Sequence, residues 1–187
     1  MNSNIYLGQN IHSDDPAGQI IMPFSFIDNV EFKGKALIGQ YCSIGLPVMQ
    51  PDIENGVLDE YGMGKYGVLI GKNFIMKSYS FIQSGLDRQT QIGDNVIIAN
   101  HVGIGHDCII NNGCQIKADT ALFGWSEIGE NTIIEPRCTI LRRVKIGMNC
   151  IIQAGSMISH DIEDNMIVET IFKHKKIYKN ETLNRGA

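Results

Sequence analysis

QIGDNVIIANHVGIGHDCIINNGCQI, residues 91–116, repeats its own pattern every six residues. Ile92, Ile98, Ile104, Ile110 and Ile116 mark the period, which runs on without a gap through Leu122, Ile128, Ile134, Ile140, Ile146, Ile152 and Ile158. Four positions after each marker comes a small residue, as at Val96, Val102, Cys108, Cys114, Thr120, Ser126 and Cys138. Six is a multiple of the strand period of two and does not match the helix period of 3.6. Positions i and i+4 therefore point inward, and positions i+2 and i+3 must turn. Asp94-Asn95, Asn112-Gly113 and Glu130-Asn131 supply turn chemistry there. Three strands and three turns close a triangular coil, and coils stacked at about 4.8 Å form a prism bonded from coil to coil. The fold class is all-β, a parallel β-helix.

The same phase is expected earlier, at Ile20, Phe26, Phe32, Ile38 and Ile44, with Val30, Ala36 and Cys42 in the small slot. Ile70, Met76 and Ile82 resume the period with a shifted phase. Gly39, Gly45, Gly93, Gly129 and Gly147 follow inward residues where the chain begins to bend. Two segments break the pattern. Residues 46–67 form an external loop with Pro47, Pro51 and four acids, and residues 84–89 form a shorter bulge. The expected organisation is a β-helix domain over 1–168 and a C-terminal tail over 169–187 with the basic run KHKKIYK. A long loop leaving a rigid solenoid is usually functional, and a polar tail can cap the last coil.

Composition excludes several classes. The chain has 187 residues, is 43% hydrophobic and 19% charged, and carries a net charge of −4. That argues against disorder, and the acidic balance gives no general affinity for nucleic acid. No apolar run long enough for a membrane span occurs, and MNSNIYLGQN lacks the pattern of a signal peptide. Cys42, Cys108, Cys114, Cys138 and Cys150 are odd in number, form no C-x-x-C pair and all occupy the small inward slot. They read as inert packing residues in a reduced, cytoplasmic protein.

Inward side chains can only pack, so chemistry belongs to the corners. Corner residues one coil apart stack, which puts His106 in register with Gly124, then Arg142, then His160. A histidine beside Asp107 suits a general base, because the carboxylate orients the ring and stabilises the imidazolium. The Gly124 N–H is placed to meet a developing oxyanion. Trp125, the only tryptophan, sits in a corner slot and suits stacking on a flat ligand or burial in an interface. Arg142 and Arg143 suit phosphate groups.

The repeat, over roughly residues 18–168, resembles the left-handed β-helix acyltransferases. Ile104-Gly-His-Asp-Cys-Ile-Ile110 is similar to the I-A-H-D-C segment of the UDP-N-acetylglucosamine O-acyltransferases and to the H-D/E-C motif of sugar N-acetyltransferases. The resemblance implies left-handed winding and a homotrimer with its sites in the grooves between subunits. It also implies His106 as base, Asp107 as its orienting acid and Gly124 as oxyanion donor. The implied reaction is acyl transfer from a CoA thioester, acetyl-CoA foremost, to an amine or hydroxyl of a nucleotide-linked sugar. Surface polysaccharide or lipopolysaccharide synthesis is the implied setting, and no bound cofactor or metal is required. Acyl carrier protein is the alternative donor. By the same resemblance Glu181 and Arg185 touch the acceptor. The sequence departs from the O-acyltransferases at Trp125, where they carry histidine, at Arg142 and Arg143, where they carry uncharged residues, and in lacking their C-terminal helical domain. His101 and His106 have the H-x4-H spacing of γ-class carbonic anhydrases, which bind zinc between subunits, but no earlier coil supplies the third histidine. A scaffold without catalysis is the remaining alternative.

Overall fold

A computed structural model describes residues 6–7, 11–13, 18–46 and 65–169. Within them every element is a strand of two to four residues, and all pairing is parallel. Three sheets of eight, seven and eight strands form the faces of a solenoid. Face A contains Gly103–Ile104, face B Ile109–Ile110 and face C Gln115–Ile116. The architecture is the β-helix the repeat predicts, and it is consistent with left-handed winding. Among the described residues no helix is long and apolar enough to cross a membrane.

Packing follows the sequence period closely from Ile92 onward. Ile104 pairs with Leu122, Leu122 with Ile140, and Ile140 with Ile158, so each coil stacks in perfect register. The inward isoleucines are at most a few per cent exposed, and all five cysteines are buried. Burial pushes the Cys108 and Cys114 thiols up to about 11, so neither is a nucleophile at neutral pH.

The first coils correct the expected phase. Ile21 and Ile27 pair with Ile38 and Ile44, whereas Ile20 is 62% exposed and Phe26 only half-buried. The cause is a corner one residue short: only Asp28 and Asn29 separate buried Ile27 from buried Val30. A one-residue slip in a strand exchanges its two faces, and here each strand offers two apolar candidates side by side. Phe32, Ile38 and Ile44 are inward as expected.

Gly45 does bend, with φ at +86°, whereas Gly93 and Gly129 have a different reason. A Cβ on Gly93 would lie 2.8 Å from the Asn112 nitrogen, and one on Gly129 would lie 2.4 Å from the Gly147 carbonyl carbon. Neither glycine has positive φ. They are required because the corner of the next coil passes directly beneath them.

Left-handed backbone falls instead at the third residue of the six-residue corners, and it is not evenly distributed. Along the corner between faces B and C these positions are Asn73, Asn95, Gly113, Asn131, Asn149 and Asn165. These are the residue types that tolerate αL best. The two corners flanking face A are mixed: besides Asn29, Asp107, Asp119, Gly67 and Gly155 they carry Phe24, Tyr41, Tyr79, His101, Trp125, Arg137 and Arg143 at φ between 56° and 66°. For such side chains αL costs about 1–2 kcal/mol each. Strain of this kind gathers at functional surfaces, and here it flanks one face.

Both interruptions of the repeat leave from the corner between faces A and B. Residues 47–64 lie between the face A strand Ser43–Leu46 and the face B strand Val68–Ile70. The bulge lies between Phe81–Gln83 on face A and Thr90–Ile92 on face B. Pairing resumes after each: Phe81 with Ser43, Thr90 with Val68.

Candidate active site

His106 stands on that same corner, and its neighbours are held by different parts of the chain. The imidazole Nδ1 lies 2.6 Å from Asp107 Oδ2. The Asp107 side chain is wholly buried and the His106 side chain 16% exposed. Asp107 can take this position because its backbone is left-handed, at φ 59°, and its N–H donates to Thr90 Oγ1 at 2.8 Å.

A buried carboxylate needs donors. Asp107 receives the backbone N–H groups of Leu86, Asp87 and Arg88 at 3.1, 2.8 and 2.7 Å. Burial alone would raise its pKa. The hydrogen bonds from the Arg88 N–H, the His106 ring and the Leu86 and Asp87 N–H groups outweigh burial and hold the acid below its ordinary value. An ionised carboxylate only accepts, so Nδ1 is the protonated nitrogen, and in the neutral form of the ring Nε2 carries the lone pair.

Nε2 faces Gly124. A Cβ at position 124 would lie 2.8 Å from both Cε1 and Nε2 of His106, so only glycine allows the ring to rest there. Gly124 is buried beneath the imidazole. Its N–H donates no hydrogen bond among the described residues. A Cβ on Gly105 would lie 2.7 Å from that nitrogen, so glycine on the preceding coil keeps the approach to the amide clear. A base with a free Nε2 and an uncommitted N–H within one coil spacing is the pair of groups that acyl transfer uses.

A groove of about 370 Å³ opens on face A between His106 and His101, floored by Gly103 and Gly105 and walled by Phe81 and Phe123. Phe81 and Phe123 are 43% and 50% exposed. The groove is mainly apolar with polar groups at its two edges, the usual make-up of a small-molecule site.

The remaining sequence candidates are distributed around it. Trp125 packs edge-on against His106, with ring centroids 4.2 Å apart. Its own ring carries the guanidinium of Arg142 at 4.1 Å and that of Arg143 at 5.3 Å. Both arginines are exposed, and among the described residues neither has a carboxylate partner. His101 lies across the groove, stacked on Tyr79 at 5.4 Å and 3.4 Å from Asp119. Tyr79 continues a column of stacked rings through Tyr41 to Phe24. No group of three or more potential metal ligands occurs among the described residues. Glu181, Arg185 and the basic run of the tail lie outside the described residues, as do positions 47–64 of the external loop.

Sequence reasoning missed the bulge residues that hold Asp107 and the two phenylalanines of the groove. The bulge was visible as a break in the period at 84–89, but its donors are backbone groups with no signature of their own.

Comparison with known proteins adds to this picture. The signature "Bacterial transferase hexapeptide (six repeats)" matches residues 89–124 and 126–160. The acyl-[acyl-carrier-protein]–UDP-N-acetylglucosamine O-acyltransferase of Campylobacter jejuni subsp. doylei is 38% identical over 101 residues, which are 52% of this chain and 38% of that protein. The protein of the same name from Campylobacter concisus is 31% identical over 99 residues, 51% of this chain and 38% of its own. The chain thus spans well under half the length of these curated relatives. Among solved structures, a UDP-N-acetylglucosamine acyltransferase from Bacteroides fragilis superposes with a TM-score of 0.72 at 22% identity, covering 89% of this chain and 68% of that one. The enzyme from Campylobacter jejuni gives 0.66 at 24% identity, covering 84% and 66%. The hexapeptide family model thus matches the repeat within residues 89–160, and the chain is a parallel β-helix that is similar in sequence, over about half its length, to the UDP-N-acetylglucosamine O-acyltransferases and shares the fold of their solved structures.

Proposed function

We propose that the protein transfers an acyl group from a thioester to a hydroxyl or amine of a nucleotide-linked sugar, with His106 as general base. The observation that carries this reading is the arrangement of His106, with Nδ1 fixed by a buried carboxylate and Nε2 free against Gly124. Nε2 removes the proton of the acceptor as its oxygen or nitrogen attacks the thioester carbonyl. The Gly124 N–H donates to the resulting oxyanion. When the carbon–sulfur bond breaks, the proton held on Nε2 passes to the departing thiolate. Asp107 balances the transient imidazolium throughout. Atoms and charge balance without a metal or a covalent enzyme intermediate.

The donor is a thioester of coenzyme A or of acyl carrier protein. Acetyl-CoA is the expectation from the sequence, whereas the names of the curated relatives favour the carrier protein and an oxygen acceptor. Mass spectrometry of products from a panel of nucleotide sugars, with acetyl-CoA in one arm and acyl carrier protein thioesters in the other, tests the reading. A mass gain of one acyl group in either arm supports it. No acylated product with any donor or acceptor would sink it.

Arg142 and Arg143 are proposed to hold phosphate of the nucleotide or of the donor, with Trp125 as the platform beneath them. Their charges are not neutralised within the described residues, and the indole face stacked under Arg142 orients its guanidinium. Arg142→Ala is expected to raise the KM of the phosphate-bearing substrate about tenfold, with kcat within twofold, as for one charge-assisted hydrogen bond of about 1.5 kcal/mol. A KM that does not move for either substrate would remove Arg142 from the site.

The proposed assembly is a homotrimer in the cytoplasm. A groove of about 370 Å³ lies near the small end of ligand sites, at about 300–1,000 Å³, and cannot enclose a nucleotide sugar and a thioester together. A neighbouring subunit would supply the other wall. Face C offers the surface for contact: Leu37, Ile97 and Ile151 point outward in one column and are each more than a third exposed. Sedimentation velocity is expected to give a trimer, and Ile97→Lys to shift the protein toward monomer with the coil intact. A monomer in the unaltered protein would refute the assembly.

A further inference from the structure

We infer that Arg88, on the bulge outside the repeat, is a positioning residue that holds Asp107 and thereby the His106 ring. The inference rests on reading His106 as the base. Its starting point is that the repeat itself supplies the Asp107 carboxylate with only one donor, the His106 ring at 2.6 Å. The other three are the N–H groups of Leu86, Asp87 and Arg88, all from a segment that interrupts the hexapeptide period. Three consecutive N–H groups converging on one carboxylate form a backbone anion nest. Such a nest keeps its shape only if the segment is fixed.

The Arg88 side chain fixes it at two points. Its Nε donates to the Asp107 carbonyl oxygen at 3.0 Å, and its Nη1 donates to Glu127 Oε1 at 3.0 Å. Glu127 belongs to the face B strand of the following coil, and its other oxygen meets Lys145 Nζ at 3.1 Å one coil further on. Arg88 therefore ties the bulge to the backbone of the residue it holds and to an ion pair on the rigid solenoid. At the start of the bulge Gly85 makes the turn possible, since a Cβ there would lie 1.7 Å from the Arg88 carbonyl oxygen. Among the described residues Arg88 makes no hydrogen bond to His106 and does not line the groove, so its route to the ring is through Asp107.

Removing the side chain frees the bulge to leave the carboxylate. Asp107 would then remain buried with fewer donors, and its hold on Nδ1 would loosen. A role confined to stability would leave the ring's hydrogen bond intact in every folded molecule. The two cases differ in a signal that needs no substrate, the far-downfield proton resonance of Nδ1–H hydrogen-bonded to a carboxylate.

The test compares ¹⁵N-histidine-labelled parent protein with Arg88→Ala, and with Glu127→Gln, which leaves every donor to Asp107 in place. Arg88→Ala is expected to lose or shift the His106 Nδ1–H resonance upfield while circular dichroism still reports the folded β-helix. Its kcat is expected to fall about 10- to 100-fold, the range for removing an outer partner of an oriented imidazole, with acceptor KM within twofold. Glu127→Gln is expected to move the same resonance in the same direction by less. An unchanged resonance in folded Arg88→Ala overturns the inference. If that variant does not fold, an unchanged resonance in Glu127→Gln does so. A resonance that responds in a protein without turnover on any thioester supports the positioning role and counts against His106 as an acyl-transfer base instead.

Discussion

His106→Ala is expected to lower kcat by about 10²–10⁴, the usual worth of a positioned general base, with a modest fall in melting temperature from the lost hydrogen bond to the buried Asp107 carboxylate. The side chain lies on a corner and contributes nothing to the inward core, so its loss opens no cavity in the stack. The accompanying change in acid stability has a definite sign. Asp107 has a pKa depressed below its ordinary value in the folded state. Its contribution to stability is therefore present above the unfolded value, about pH 4, and is lost as the pH falls through the lower folded value. Deleting His106 removes one donor to the carboxylate and so narrows that window from below. Denaturant titrations from pH 2 to pH 6, with kinetics at neutral pH, check both parts. Turnover within tenfold of the parent would exclude His106 as the base.

Gly124→Ala is the second large effect, and it changes no charge. The three atoms nearest a Cβ at this position all belong to the His106 ring, at 2.8, 2.8 and 3.2 Å. Real Cβ contacts do not come so close, and Gly124 has no positive φ to add backbone strain. The whole cost of the methyl group therefore falls on the imidazole, which must swing away from its bond to Asp107. Displacement of a reacting group by about 1 Å can cost about 10²-fold. A fall in kcat of about 10²–10³ is expected. The double variant His106→Ala/Gly124→Ala should be no slower than His106→Ala alone, because the methyl group then has nothing to strike. Effects that simply multiplied would show that Gly124 acts elsewhere than on the ring.

The solenoid was legible wherever the corners keep one length, because the phase then carries through even adjacent pairs such as Ile97-Ile98 and Ile151-Ile152. Ile92 through Ile158 are flanked by corners of constant length, and their periodicity predicts burial and register together. Ile20-Ile21 and Phe26-Ile27 each place two apolar residues side by side, so a coil shortened by one residue at Asp28-Asn29 left the phase ambiguous. The site divides the same way. His106 and Gly124 meet because coil stacking brings residues eighteen apart together, which simple counting recovers. The support for Asp107 comes from Leu86, Asp87 and Arg88, whose position depends on how an irregular bulge folds. Trp125 was noticed because it is out of place, but its partners were not. Arg142 and Arg143 cover its ring, and His106 meets its edge.

The uneven distribution of left-handed corners bears on how such a chain assembles. Asn and Gly along the edge between faces B and C populate αL readily even in an unfolded chain, so those turns cost little to form. The aromatic, histidine, tryptophan and arginine corners beside face A require a neighbouring coil to hold them. Growth of the solenoid is then directional within each coil: the Asn/Gly turn brings two strands onto the existing end, and the strained corners close afterwards. In a quasi-one-dimensional fold, where each repeat answers chiefly to its neighbours, this makes one edge the template of assembly. The corners beside face A that carry bulky side chains are then expected to order last in each turn, which hydrogen exchange would show as faster exchange there than along the Asn/Gly edge.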